Sequence, residues 1–168
     1  FLYKVLSIAG SDSGGGAGIQ ADIKTITALG GYATTAITAL TAQNTLGVHS
    51  VFEVPASFVS QQIDTVMTDI GTDAVKTGML LCKDIVDVVS LKIKEYHIKY
   101  VVVDPVMLSK NERMLLSTDA IYALTAHLFP LSFIVTPNIP EAEYITGLKI
   151  QNLSHAEEAA KFIYQLGP

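Results

Sequence analysis

The chain has 168 residues, 49% of them hydrophobic and only 16% charged, enough apolar material to fill the core of one domain spanning residues 1–168. No apolar run approaches the roughly 20 residues of a membrane helix. The N-terminus lacks a charged region leading into an apolar one, and a net charge of −5 without a Lys/Arg cluster argues against a nucleic-acid partner. A single cysteine, Cys82, excludes a disulfide framework and a thiolate metal cage, so a cytoplasmic setting without membrane contact is expected.

The first predicted strand, Lys4 to Ala9, runs into Ala9-Gly10-Ser11-Asp12-Ser13-Gly14-Gly15-Gly16-Ala17-Gly18-Ile19-Gln20-Ala21-Asp22. Five glycines within nine residues let the backbone turn sharply and approach a ligand closely. A loop of this kind between a buried strand and a helix is usually a site. Ser11, Asp12, Gln20 and Asp22 are expected to converge on the ligand. The loop has no lysine, which removes the Walker reading. Gly16-x-Gly18-x-x-Ala21 satisfies the loose dinucleotide fingerprint, but no Asp or Glu occurs between Asp22 and Glu53, where nicotinamide binding needs one.

Ile19, Ile23, Ile26 and Leu29 give the first helical pattern. Asp22 reads as a first-turn residue that either complements the helix dipole or accepts a hydrogen bond from a substrate hydroxyl. The next strand, Ala33 to Leu40, leads to Thr41-Ala42-Gln43-Asn44-Thr45. Gln43 is either an ordinary loop residue or a ligand contact. Its amide offers a donor and an acceptor side by side, the pairing with which glutamine reads adenine, and so matches an aminopyrimidine edge.

A helix through Val59, Ile63, Val66 and Ile70, a strand Ala74 to Gly78 and a helix through Val86, Val89, Ile93 and Tyr96 follow. The most strand-like run, Tyr100 to Asp104, ends at Asp104-Pro105. Proline stops ladder pairing there, so Asp104 emerges at the carboxyl end of its strand, the edge where α/β sheets bind ligands. After a helix through Ile121, Leu124 and Leu128, the strand Phe133 to Thr136 repeats the arrangement with Asn138, Pro140, Glu141 and Glu143. Helix-entry chemistry accounts for these residues. The alternative is a shared edge at which the oxygens of Asp104, Asn138 and Glu141 suit Mg²⁺ with retained waters and phosphate oxygens.

The last helix carries Ala156, Ala159, Ile163 and Leu166, with Ser154 and Glu157 as a capping box. It reads as a crossover helix without its following strand, so the chain is expected to continue past Pro168. His49, His97, His127 and His155 lack metal-ligand spacing, and Cys82 reads as a core thiol. Strand–helix alternation with buried strands predicts an α/β fold around a mostly parallel sheet.

Five segments carry a family resemblance: Ala9 to Thr25, Ile37 to Thr45, Lys76-Thr77-Gly78-Met79-Leu80, Val103 to Lys110 and Thr136 to Glu143. Together they resemble the hydroxymethylpyrimidine/phosphomethylpyrimidine kinases of thiamine biosynthesis, in the ribokinase-like superfamily. The resemblance implies a three-layer α/β fold with a mostly parallel central sheet flanked by helices, its C-terminal part absent here. It implies phosphorylation of 4-amino-5-hydroxymethyl-2-methylpyrimidine, then of its monophosphate, by ATP with Mg²⁺, in a homodimer. Carried over by position, Gln43 would hold the aminopyrimidine edge, and Asp22 with the backbone at Gly10 and Ala17 would orient the hydroxymethyl group. Met79 and Val106 would form apolar walls. Asp104, Asn138 and Glu141 would lie near the magnesium and the ATP phosphates.

The family's Lys-Gly-Gly-His-like strand and Gly-Thr-Gly-Cys-like turn, which would supply the anion hole and the catalytic residue, would fall beyond Pro168. Residues 1–168 alone are therefore expected to be inactive. Ser109 to Met114 departs from the Ser-Gly-Asp-like loop of relatives. Three further readings remain open: a pyridoxal or pyridoxine kinase, a non-catalytic pyrimidine-binding module and, disfavoured by the missing acidic residue, a dehydrogenase.

Overall fold

The strand that begins the chain is buried on both faces, which is what a continuous apolar run requires. In the computed structural model, which describes residues 2–107 and 116–168, this strand β1 (Lys4–Asp12) pairs in parallel with β2 (Tyr32–Asn44) on one side and with β4 (Ala74–Thr77) on the other. β5 (Val101–Val103) and β6 (Ile134–Val135) extend the sheet in parallel, and β3 (Gly47–Glu53) folds back antiparallel onto β2. The order is β3-β2-β1-β4-β5-β6.

Alternation along the strands separates two faces. Leu6 and Ile8 of β1 lie level with Val75 and Thr77 of β4, which in turn lie level with Val101 and Val103 of β5. Their apolar members share one core with Val59 and Ile63 of α2 (Ala56–Asp69) and with Ile85, Val86, Val89 and Ile93 of α3 (Lys83–Glu95). Ser7 and Lys76, level with each other, point to the opposite face. There α1 (Gly18–Ala28) lies over β1, with its Asp22 hydrogen-bonded to Ser7.

α4 (Thr118–Ala123) continues as a π-helical turn, Leu124–Leu128, and a 3₁₀ turn, Phe129–Leu131, where Pro130 lacks the N–H a regular helix would use. Phe129 and Leu128 are wholly buried. α5 (Ile139–Thr146) and α6 (Leu153–Tyr164) add Ala142 and Ile163 to the same core.

Four expectations need correction. β2 runs on to Asn44, and β3, absent from the sequence reading, pairs with its extension. β1 runs on to Asp12, so Ser11 and Asp12 belong to the strand. α1 starts at Gly18, which moves Asp22 out of the first turn. The cap of α6 is Asn152, whose side chain accepts from the His155 N–H at 3.0 Å, leaving Ser154 inside the helix. The departure at Ser109 to Met114, and part of the Val103 to Lys110 segment, lie outside the described residues.

Candidate active site

β1 sits where the strand order reverses, with β2 on one side and β4 on the other, and the crevice at the carboxyl ends of such strands is the ligand edge of an open α/β sheet. A cleft of about 890 Å³ opens there. Gly10, Ala17, Asp22, Gln43, Met79, Asp104 and Val106 all line it. These side chains and backbones come from β1, α1, β2 and the segments after β4 and β5.

The glycine loop is organised by Asp12. Its Oδ1 accepts the Gly14 N–H at 2.8 Å, and its Oδ2 accepts those of Gly16 and Ala17 at 2.9 Å each. Gln20 returns its Oε1 to the Asp12 N–H at 2.8 Å and donates Nε2 to Ser11 Oγ at 2.7 Å. Asp12 and Gln20 thus hold the loop's own backbone, and of the four residues expected to converge, Ser11, Asp12 and Asp22 line the cleft. Gly18 has φ +56°, and a Cβ there would lie 2.2 Å from the Gly10 carbonyl oxygen. Only glycine permits this approach of loop to strand.

The floor is charged. Asp22 Oδ2 accepts from Ser7 Oγ at 2.6 Å, and Lys76 Nζ lies 3.1 Å from Asp22 Oδ1 and 3.5 Å from Asp104 Oδ2. Burial pushes the Asp104 carboxyl above its ordinary value, the Lys76 ammonium pulls against that, and the Asp22 charge adds to the rise. The sequence reading assigned Lys76 no role. It lies within the predicted strand Ala74 to Gly78, and the register with Ser7 brings it between two carboxylates.

Gln43 stands on the rim. Its backbone N–H donates to Ser13 Oγ at 2.8 Å, and that hydroxyl donates to the Gln43 carbonyl at 2.7 Å. β3 supplies Val48, His49, Val51 and Glu53 as a wall that sequence reasoning missed. Met79 lies against Gly10, where a Cβ would come within 2.6 Å of its methyl, and its carbonyl accepts from Thr38 Oγ1 at 2.6 Å. Leu81, also in the lining, has φ +48°, a conformation costly for a branched side chain and typical of sites held under strain. Cys82, expected in the core, is half-buried and donates to Glu53 Oε1 at 3.0 Å, and burial raises its thiol.

Asn138 and Glu141 do not line the cleft. Asn138 Oδ1 accepts the Glu141 N–H at 2.9 Å, and Glu141 Oε2 accepts the Asn138 N–H at 2.9 Å, a complete capping box on α5. Glu141 is buried, which pushes its carboxyl up, against the pull of the Asn138 and Met107 N–H groups. Among the described residues no cluster of three or more His, Cys, Asp or Glu would hold a metal ion.

Residues 12–168 match the family model described as phosphomethylpyrimidine kinase. The chain belongs to that family. It is 50% identical over 166 residues to a hydroxymethylpyrimidine/phosphomethylpyrimidine kinase of Bacillus subtilis, covering 99% of this chain and 61% of the relative. The crystal structure of phosphomethylpyrimidine kinase from Clostridium difficile 630 superposes with a TM-score of 0.92 at 49% identity, over 99% of this chain and 72% of that one. A pyridoxal kinase from Staphylococcus aureus in complex with AMP-PCP and pyridoxal gives 0.88 at 36% identity, over 99% and 60%. The fold is therefore ribokinase-like, and the chain spans about three fifths of the length of the Bacillus relative. None of the described helices is long and apolar enough to cross a membrane.

Proposed function

We propose that the protein phosphorylates the hydroxymethyl group of 4-amino-5-hydroxymethyl-2-methylpyrimidine with ATP, then phosphorylates the resulting monophosphate, in thiamine biosynthesis. One observation carries this reading: an amide suited to an aminopyrimidine edge, a carboxylate suited to an alcohol and a second suited to the magnesium of a nucleotide line the same cleft. Gln43 binds the ring edge, and Met79 and Val106 flank the ring. Asp22, held by Ser7 and Lys76, orients the hydroxyl together with the backbone at Gly10 and Ala17. Lys76 carries positive charge between the acceptor alcohol and the phosphate side, where charge develops during transfer.

Magnesium fits this site only in the manner of a nucleotide-borne ion. Mg²⁺ keeps waters and takes one or two carboxylates beside phosphate oxygens, and Asp104 offers a single carboxylate to the cleft. In this reading Asn138 and Glu141, joined in the capping box of α5, stay in the magnesium and phosphate region, with Glu141 feeling the Asp104 charge. When bound, the ion would neutralise phosphate charge.

The same reading includes a homodimer, which sedimentation of the protein tests. The Staphylococcus pyridoxal kinase favours one second reading, phosphorylation of a pyridine alcohol. Side-by-side kinetics of the complete protein on the pyrimidine alcohol and on pyridoxine decide between them. Faster turnover of the pyrimidine, lost in Gln43→Ala, is expected. A preference for pyridoxine would overturn the proposal, and ATP-independent binding of the pyrimidine without turnover would leave only a binding module.

A further inference from the structure

Thr41 and Gln43 are two residues apart on β2, so both side chains project to the cleft face. Opposite them the β2–β3 ladder carries a bulge between Ala42 and Gln43, a device that re-aims side chains beside sites. Thr41 Oγ1 lies 2.9 Å from the Ser11 carbonyl oxygen and 3.2 Å from Gln43 Oε1. A hydroxyl has one proton, and a backbone carbonyl only accepts. The Thr41 proton therefore goes to Ser11, at the shorter distance, and the hydroxyl meets the Gln43 carboxamide with a lone pair.

A lone pair is satisfied by the amide NH₂ and repelled by its oxygen. Rotating the carboxamide by 180° about its last bond exchanges the two without altering its shape. We propose that Thr41 is a positioning residue that fixes the Gln43 carboxamide with its NH₂ toward the Thr41 hydroxyl, and thereby sets the order in which the amide reads a ring edge. The backbone of Gln43 is clamped by Ser13, and the Thr41 hydroxyl meets the carboxamide at the end of the side chain.

In this orientation one amide hydrogen is used by Thr41, and the other, with the carbonyl oxygen, faces the cleft. That pair meets an exocyclic amine and a bare ring nitrogen. A 4-oxo ring presents the reverse, a carbonyl beside a ring N–H. With the ring anchored by its hydroxymethyl group at Asp22, it is read only if the amide turns over and breaks its bond to Thr41. The inference rests on the proposed function and goes beyond it: Thr41, acting through Gln43, tunes amino-over-oxo selectivity.

The test is calorimetric titration of the protein with 4-amino-5-hydroxymethyl-2-methylpyrimidine and with its 4-oxo counterpart, for wild type, T41V and T41S. Wild type is expected to prefer the amino ring. T41V should lose about fivefold of that preference, the worth of one ordinary hydrogen bond, and T41S should restore it. In a Q43A background T41V should leave the ratio unchanged. An unaltered preference in T41V, or a Thr41 effect that persists without Gln43, overturns this inference alone. A wild-type protein that binds neither ring overturns the proposed function as well. Independently of any variant folding, an NOE between the Gln43 side-chain NH₂ and the Thr41 side chain is expected in the unsubstituted protein, and its absence refutes the orientation.

Discussion

Replacing Lys76 with methionine keeps the length of the side chain and removes the ammonium that stands between Asp22 and Asp104. An exposed ion pair contributes about 0–1 kcal/mol, whereas stripping one partner from a buried pair costs about 3–5 kcal/mol. The Lys76 side chain is 25% exposed, that of Asp22 17% and that of Asp104 36%, so the site lies between these limits. The Asp104 contact, longer and wetter, is discounted for screening, which leaves a loss of about 2 kcal/mol. For a chain of this size that corresponds to a fall in Tm of about 4–8 °C.

The pH dependence has a definite sign. Burial already raises the Asp104 carboxyl, and K76M removes the charge that opposes it. A raised carboxyl means the native state holds its proton more tightly than the unfolded chain. The K76M deficit is therefore full at neutral pH and shrinks as the pH falls toward about 4. Thermal unfolding across this range, with K76R as the charge-retaining control, measures both effects. A K76M protein as stable as wild type at neutral pH, or a deficit that grows on acidification, would refute the reasoning.

Gly18→Ala puts a Cβ 2.2 Å from the Gly10 carbonyl in a left-handed backbone, and a loss of about 3 kcal/mol or more is expected in urea unfolding. Asp12→Ala leaves the Gly14, Gly16 and Ala17 N–H groups without their carboxylate and should cost about 2–3 kcal/mol, together with pyrimidine affinity, since the loop they shape lines the cleft. The Lys83 hydrogen bond, aided by His127, holds the Asp87 carboxyl below its ordinary value against its burial. A lowered carboxyl stabilises above the unfolded value and loses that contribution in acid, so the Tm gap between wild type and D87N should be open at pH 6 and close as the pH falls below about 4.

Apolar runs made most of the sheet legible: Tyr100-Val101-Val102-Val103 buries Val101 and Val103 as a covered strand does, whereas Phe133-Ile134-Val135, equally apolar, gives the edge strand β6 with Phe133 and Ile134 exposed. β3 escaped because Gly47-Val48-His49-Ser50-Val51-Phe52-Glu53 does not alternate, and nearly every residue in it is exposed. Its pairing with β2 is a hairpin contact that no period announces. Two cap-forming side chains stand at Asn152 and Ser154, and the earlier one takes the cap. Leu29, which completes the apolar spacing of the first helix, ends up 82% exposed beyond the end of α1.

At the site, Gln43, Asp22 and Asp104 were legible as polar residues at the ends of apolar strands or beside a glycine loop. The plain helix-entry reading of Asn138 and Glu141 describes their geometry. Lys76 and Thr41 were not legible: register with β1 sets Lys76 level with Ser7, and it brings the Ser11 carbonyl to the Thr41 hydroxyl, the contact that leaves Thr41 to act on Gln43 of its own strand.

The most direct measurement of the central claim is a crystal structure of the protein with 4-amino-5-hydroxymethyl-2-methylpyrimidine. The account predicts the amino edge of the ring on the Gln43 carboxamide and the hydroxymethyl oxygen within hydrogen-bond reach of Asp22, facing Lys76 and Asp104. A ring seated outside this cleft, or seated in it with its amino edge turned away from Gln43, would contradict it.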